Sequence, residues 1–185
     1  MGPWIAVAFV VAVLAWAVLI YNRLVSLRTR VDNGWSQIDV QLRRRYDLIP
    51  NLVESVEAYA RHEREALEAV TRARVAAEAA TGVAGQAAAE NALTSGLRHL
   101  LGVVEAYPDL KANQNFLALQ EELTGTESKI AYARQFYNDQ VMWLNSAIQR
   151  FPAVLIARPF RFGEREFFEI DEPARGPVAI DLEDR

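Results

Sequence analysis

Residues 114–151, QNFLALQEELTGTESKIAYARQFYNDQVMWLNSAIQRF, decide the fold class. Phe116, Leu119, Leu123, Ile130, Tyr137, Val141, Leu144, Ile148 and Phe151 recur at steps of three and four, the spacing of one face of an α-helix. The ladder lapses only at Thr126 or Glu127 and at Ala133 or Arg134. Asn113 offers a side-chain oxygen to cap the first turn and Pro152 stops the last. About 38 residues make a rod of ~57 Å.

The segments upstream carry the same period. Leu93, Leu97, Leu100, Leu101 and Val104 predict a helix from about Gln86 to Tyr107, ended by Pro108 and separated from its predecessor by Thr81-Gly82-Val83-Ala84-Gly85. A preceding helix is expected from about Pro50 to Ala80, with Val53, Val56, Tyr59, Leu67, Val70 and Ala77 inward and the pairs Glu57/Arg61, Arg61/Glu65 and Glu68/Arg72 on its surface. Before it, Leu24, Leu27, Val31, Trp35, Ile38 and Leu42 trace another helix. Arg43-Arg44-Arg45 would close its last turn, with Asp47 as the next cap and Pro50 in the next first turn. Strand signals are nearly absent. Residues 23–152 therefore read as an all-α, coiled-coil-like, antiparallel up-down four-helix bundle, and 153–185 as an irregular tail, rich first in Phe and Arg and then in acid. The last helix outruns its ~33 Å neighbour, so its surplus apolar surface needs the tail or a second protomer.

Residues 1–22 are of another kind. From Trp4 to Ile20 every residue is apolar, and the first charge is Arg23. With Tyr21 and Asn22 this is just enough helix to cross about 30 Å of hydrocarbon, with Trp4, Trp16, Ile20 and Tyr21 as the membrane-anchoring side chains. Ala15-Trp16-Ala17 fits a signal-peptidase pattern, but Met1-Gly2-Pro3 lacks a basic residue and the apolar run continues beyond the cleavage point, which favours an uncleaved anchor. There is no cysteine to acylate, and Ala6 stands where myristoylation wants Ser or Thr. Arg23, Arg28 and Arg30 follow the anchor and nothing basic precedes it. The positive-inside rule then leaves the N-terminus outside and the helical domain in the cytoplasm.

The chain has 185 residues and a net charge of −4, unevenly spread. Residues 23–45 hold six arginines against Asp32 and Asp39, whereas residues 164–185 hold eight acidic side chains against three arginines. Nucleic acid is disfavoured as a partner by the acidic domain and by an arginine cluster interleaved with no aromatic beyond Tyr46. A bundle-core metal site would need Glu-x-x-His pairs, yet Tyr59 precedes His62 and Gly96 precedes His99 by three residues. His62-Glu63 opens like a zincin motif, but Ala66 replaces the second ligand. Phosphate loops, nucleophile elbows and dinucleotide fingerprints are missing. No catalytic residue, metal or cofactor is assigned.

Helix parity places two loops at the membrane-distal tip. The candidate interaction residues there are Arg43, Arg44, Arg45, Asp47 and Asn51 from one loop, and Pro108, Asp109, Lys111 and Asn113 from the other. Some 20 helical residues, ~30 Å, separate the arginines from the membrane, beyond a Debye length of about 8 Å. The Gly-rich loop and the tail return toward the lipid. In the tail Phe160, Phe162, Phe167 and Phe168 alternate with Arg158, Arg161 and Arg165, a composition suited to packing on the last helix, on a neighbouring protomer or on a lipid interface.

Several stretches, namely Tyr21-Asn22-Arg23-Leu24-Val25, Trp35-Ser36-Gln37-Ile38-Asp39-Val40-Gln41-Leu42, Arg44-Arg45-Tyr46-Asp47-Leu48-Ile49-Pro50-Asn51-Leu52-Val53 and Glu105-Ala106-Tyr107-Pro108-Asp109-Leu110-Lys111-Ala112-Asn113, with Tyr137-Asn138 and Phe151-Pro152, resemble the bacterial LemA family. The resemblance runs from the anchor to about Phe168. It implies an N-terminal anchor in the bacterial inner membrane and a long helical bundle, with no established activity, cofactor or catalytic residue, in a context of membrane-stress proteases and membrane-organising proteins. The expectation is a non-enzymatic, membrane-tethered scaffold or adaptor that forms homo-oligomers or presents its bundle to other membrane proteins. The alternative is a regulatory subunit or enzyme with a site at the distal tip.

Overall fold

The computed structural model describes residues 2–169. All regular structure among them is helical: α1 Gly2–Glu57, α2 Arg64–Ala79, α3 Val83–Val104, the single turn α4 Pro108–Lys111, α5 Gln114–Gln149 and the single turn α6 Val154–Ala157.

The first helix corrects the expected chain path. No turn forms at residues 43–51, and α1 continues through Pro50 to Glu57. A proline inside a helix has no N–H for the carbonyl four residues earlier, here that of Tyr46. Arg74 of α2 supplies the missing donor, its Nε lying 2.9 Å from the Tyr46 carbonyl oxygen. The inward ladder Ile38, Leu42, Arg45, Ile49, Leu52, Val56 passes through the proline without a break, so burial favours continuing the helix. The chain reverses instead at residues 58–63, where Ala60 N donates to Val56 O at 2.8 Å and Glu63 N to Ala60 O at 3.0 Å. That segment, AYARHE, holds neither glycine nor proline and gave no punctuation to read.

The longer α1 also removes the surplus expected for the last helix. From Leu24, its first buried residue, to Glu57 it offers ~51 Å of contact to the ~54 Å of α5. The two helices pack along each other, α3 packs on α2, and α2 packs on α1. Arg44 meets Glu122, Arg45 meets Glu127, and Gly34 meets Tyr137. At that last point the backbones approach so closely that a Cβ on Gly34 would stand 3.2 Å from the Tyr137 Cα. Gly82, at φ 75°, turns α2 into α3 in the left-handed region that favours glycine.

In α5 the lapses of the ladder are filled by Thr126 and Ala133, both buried. The Thr126 hydroxyl donates to the Glu122 carbonyl at 2.9 Å, so it enters the core without an unmet donor. Phe151 lies past the end of α5 and is 79% exposed, outside the core in which its spacing put it.

Beyond α6 the chain runs extended along α5, held by amide side chains. Asn145 exchanges two hydrogen bonds with the Arg165 backbone, both 2.9 Å, and Asn138 exchanges two with Phe168, at 3.2 and 2.9 Å. The spacings match: seven residues of helix and three of extended chain both cover about 10 Å. The Tyr137 hydroxyl adds a bond to the Glu166 carbonyl at 2.9 Å.

Candidate functional site

The expected distal cluster divides between two places. Because α1 does not end at residue 45, Arg43, Arg44 and Arg45 lie in its interior, about 20 Å below its upper end. Asp47 and Asn51 are exposed mid-helix residues, and Asp47 caps nothing. Arg43 pairs with Asp39 at 2.9 Å and Arg44 with Glu122 at 2.7 Å, both on the surface.

Arg45 points inward and is 1% exposed. Its Nη1 donates to Glu90 Oε2 at 3.0 Å and its Nη2 to Thr94 Oγ1 at 2.7 Å, while Nε stands 2.9 Å from Glu127 Oε1. Glu90, with no exposure at all, also accepts a very short hydrogen bond from the Tyr46 hydroxyl and one of 3.1 Å from Gln86 Nε2. Gln86 bonds the Ala77 carbonyl at 3.1 Å as well, and Arg74 joins the Tyr46 carbonyl to Glu78. One polar cluster thus touches α1, α2, α3 and α5. Burial, then the hydrogen bond and charge of Glu90, push the Tyr46 hydroxyl far above its ordinary range. Burial also raises the Glu127 carboxyl, with Arg45 opposing and Glu90 reinforcing the shift. Breaking a pair enclosed in this way strands a buried charge at a cost of several kcal/mol, whereas replacing both partners by apolar groups is often close to neutral. The pattern left a trace in the sequence, since Arg45 and Glu90 each fall on an apolar ladder, three residues after Leu42 and three before Leu93.

Residues 58–63 take the place at the distal end that residues 43–51 were expected to fill, beside Tyr107–Asn113. The Asn113 side chain caps α5, accepting from Asn115 N at 2.9 Å and Phe116 N at 3.2 Å. Its Nδ2 donates to the Tyr59 hydroxyl at 3.1 Å, and the Tyr107 hydroxyl donates to Glu63 at 3.3 Å. Pro108 opens α4, Asp109 sits exposed in its first turn, and Lys111 forms a short ion pair with Glu105. Tyr59 and Glu63 are the tip residues the sequence reading missed, because the turn that presents them went unrecognised; Tyr107 lies in the loop expected at that end. The bonds at this end join loop to loop.

At the opposite end the apolar start of α1 stands clear, with none of the described residues before Leu24 buried. Trp4 and Trp16 are exposed and Ile20 is half-buried. Tyr21 meets Phe160 and Phe162 edge-on at 4.9 and 5.7 Å, and the Arg28 guanidinium lies 5.6 Å over the Phe162 ring. Phe168 is fully buried, its ring 5.4 Å from Trp35, whereas Phe160 and Phe167 remain largely exposed. Both histidines are exposed, and among the described residues no group of three His, Cys, Asp or Glu side chains is placed to hold a metal ion.

Comparison with protein families matches residues 34–182 to the model of the LemA family. The match begins beyond the apolar start of α1 and reaches past Phe168, so it takes in acidic residues that the quoted motifs do not cover; residues 170–182 lie outside those described. A comparison with curated proteins gives no match.

Proposed function

This chain belongs to the LemA family, and we propose that it is a single-pass, non-enzymatic scaffold of the bacterial inner membrane whose antiparallel four-helix bundle stands in the cytoplasm and engages copies of itself or other membrane proteins. The observation that carries the proposal is α1 itself. It is long and apolar enough at its start to cross a membrane, none of that window is buried, and it passes without interruption into the helix that organises the domain. A rigid helix of this kind transmits the orientation of the anchor to the whole domain.

The antiparallel reading is supported by the order of the α1–α5 pairs, in which partners climb α5 from Glu127 to Tyr137 as they descend α1 from Arg45 to Gly34. Self-association is supported by a stripe on α5, where Tyr132, Phe136 and Trp143 lie within about 40° of one another around the helix and all stay exposed. The cytoplasmic side is supported by Arg23, Arg28 and Arg30, which follow the apolar segment.

Purification of the full chain in detergent tests anchor, oligomer and partners together. The expected result is a retained anchor, a defined species larger than one chain and membrane proteins among the co-purifying components. A monomer with a specific small ligand or activity at the Tyr59–Tyr107 end would refute the scaffold reading. Reporter fusion at residue 185 is expected to report cytoplasm, and a periplasmic signal would reverse the orientation.

A further inference from the structure

A groove of about 900 Å³ opens where α1 leaves its exposed apolar segment and α5 ends. Its floor and walls include Trp16, Trp143 and Phe151, and Arg23 and Arg30 of α1 face into it with Arg150 from the end of α5. Among the described residues no acidic side chain lines it. The three guanidinium groups have no hydrogen-bond or ion-pair partner among the described residues, in contrast to Arg43, Arg44, Arg45, Arg72, Arg74 and Arg165, each of which holds a carboxylate. Three unneutralised cations from two helices thus share one concavity with an apolar wall.

We propose that this groove binds an acidic phospholipid of the leaflet from which the domain emerges, its phosphate held by Arg23, Arg30 and Arg150 and one acyl chain laid along Trp16 and Ile20. The inference rests on the anchor reading above. Depth agrees with it. If the hydrocarbon core ends near Arg23, the ~5 to 8 Å headgroup layer covers the next turn of α1. Arg30 stands ~10 Å above Arg23, within reach of that layer because long cationic side chains bend toward phosphate. A guanidinium pairs with phosphate through two parallel N–H bonds, so the site distinguishes an acidic lipid by charge and holds it by geometry. Phe151, 79% exposed, adds apolar surface to the groove wall. A bound lipid would fix the tilt of α1 and hence the direction in which the domain projects.

The test uses the full chain in vesicles of phosphatidylcholine with a minor fraction of phosphatidylglycerol. Flotation establishes insertion, and the lipid retained after mild detergent extraction is then quantified. Phosphatidylglycerol is expected to be enriched over phosphatidylcholine by at least about fivefold, the factor one arginine supplies near an anionic surface. The triple variant Arg23→Gln/Arg30→Gln/Arg150→Gln should lose that enrichment. A variant with the same charge change outside the groove, Arg61→Gln/Arg64→Gln/Arg98→Gln, should keep it. Equal retention of the two lipids, or unchanged enrichment in the groove variant, overturns the site while leaving the tether intact. Displacement of the lipid by millimolar inorganic phosphate shows a general phosphate site and also overturns it. A chain that fails to float overturns tether and site together.

Discussion

Replacing Arg45 by methionine tests the buried cluster directly. The substitution keeps a long side chain and removes a guanidinium that is 1% exposed. Glu90 then keeps only the Tyr46 hydroxyl and Gln86 as donors, and the Thr94 hydroxyl oxygen loses its own. Removing one partner of a buried pair strands the other charge, at a cost of about 3–5 kcal/mol. For a chain of this size that is a fall in melting temperature of about 6–20 °C. Removing both charges in Arg45→Met/Glu90→Met should recover most of the loss. What remains is the Tyr46 proton without an acceptor, about 1–3 kcal/mol, and adding Tyr46→Phe should remove that too. Thermal unfolding of the whole chain in detergent, followed by circular dichroism, measures these three variants together with the single Glu90→Met. A cost below about 1 kcal/mol for Arg45→Met, or a double variant that costs the sum of the two singles to within about 0.5 kcal/mol, would refute the coupling.

The remaining expectations concern helix ends, tail and pH. Asn113→Ala removes the α5 cap and should destabilise by about 0.5–2 kcal/mol, whereas Asp47→Ala and Asn51→Ala, on the exposed face of an uninterrupted helix, should stay within about 0.5 kcal/mol of the parent; a comparable loss at Asp47 would restore a helix start there. Phe168→Ala empties a fully buried ring site at about 3–5 kcal/mol and should free the tail, so limited proteolysis should cut between Phe160 and Phe168 in the variant much faster than in the parent; equal rates would show that Phe168 does not hold the segment. Burial raises the folded-state pKa of Glu127 above its ordinary value of 4.5, so the folded chain binds more protons there than the unfolded one. The stability associated with this group is therefore present below that value and lost as pH rises toward the folded pKa. Glu127→Gln should flatten the melting profile in weakly acidic buffer, and parallel profiles for parent and variant would contradict the shift.

Much of this protein is readable one residue at a time. The apolar start of α1, the near-complete absence of strand signals, Gly82 at the α2–α3 turn, Asn113 as a cap and Pro152 just past α5 all follow from local rules, because period, capping oxygen and missing N–H act within one turn of helix. Pro50 was misread by those same rules, which judge a carbonyl by its neighbours in sequence. The Tyr46 carbonyl is bonded by Arg74, 28 residues away, and a helix end expected at residue 45 moves to residue 57. With it the three arginines cease to be a tip and become one buried ion pair and two surface pairs. Whether a polar group is satisfied, and whether a charge on an apolar ladder finds its counter-charge, depends on chain segments that only packing brings together. Local order therefore marked most of the helical residues, and tertiary structure decided that the chain turns at residues 58–63 and not at 43–51, and which charges lie inside it.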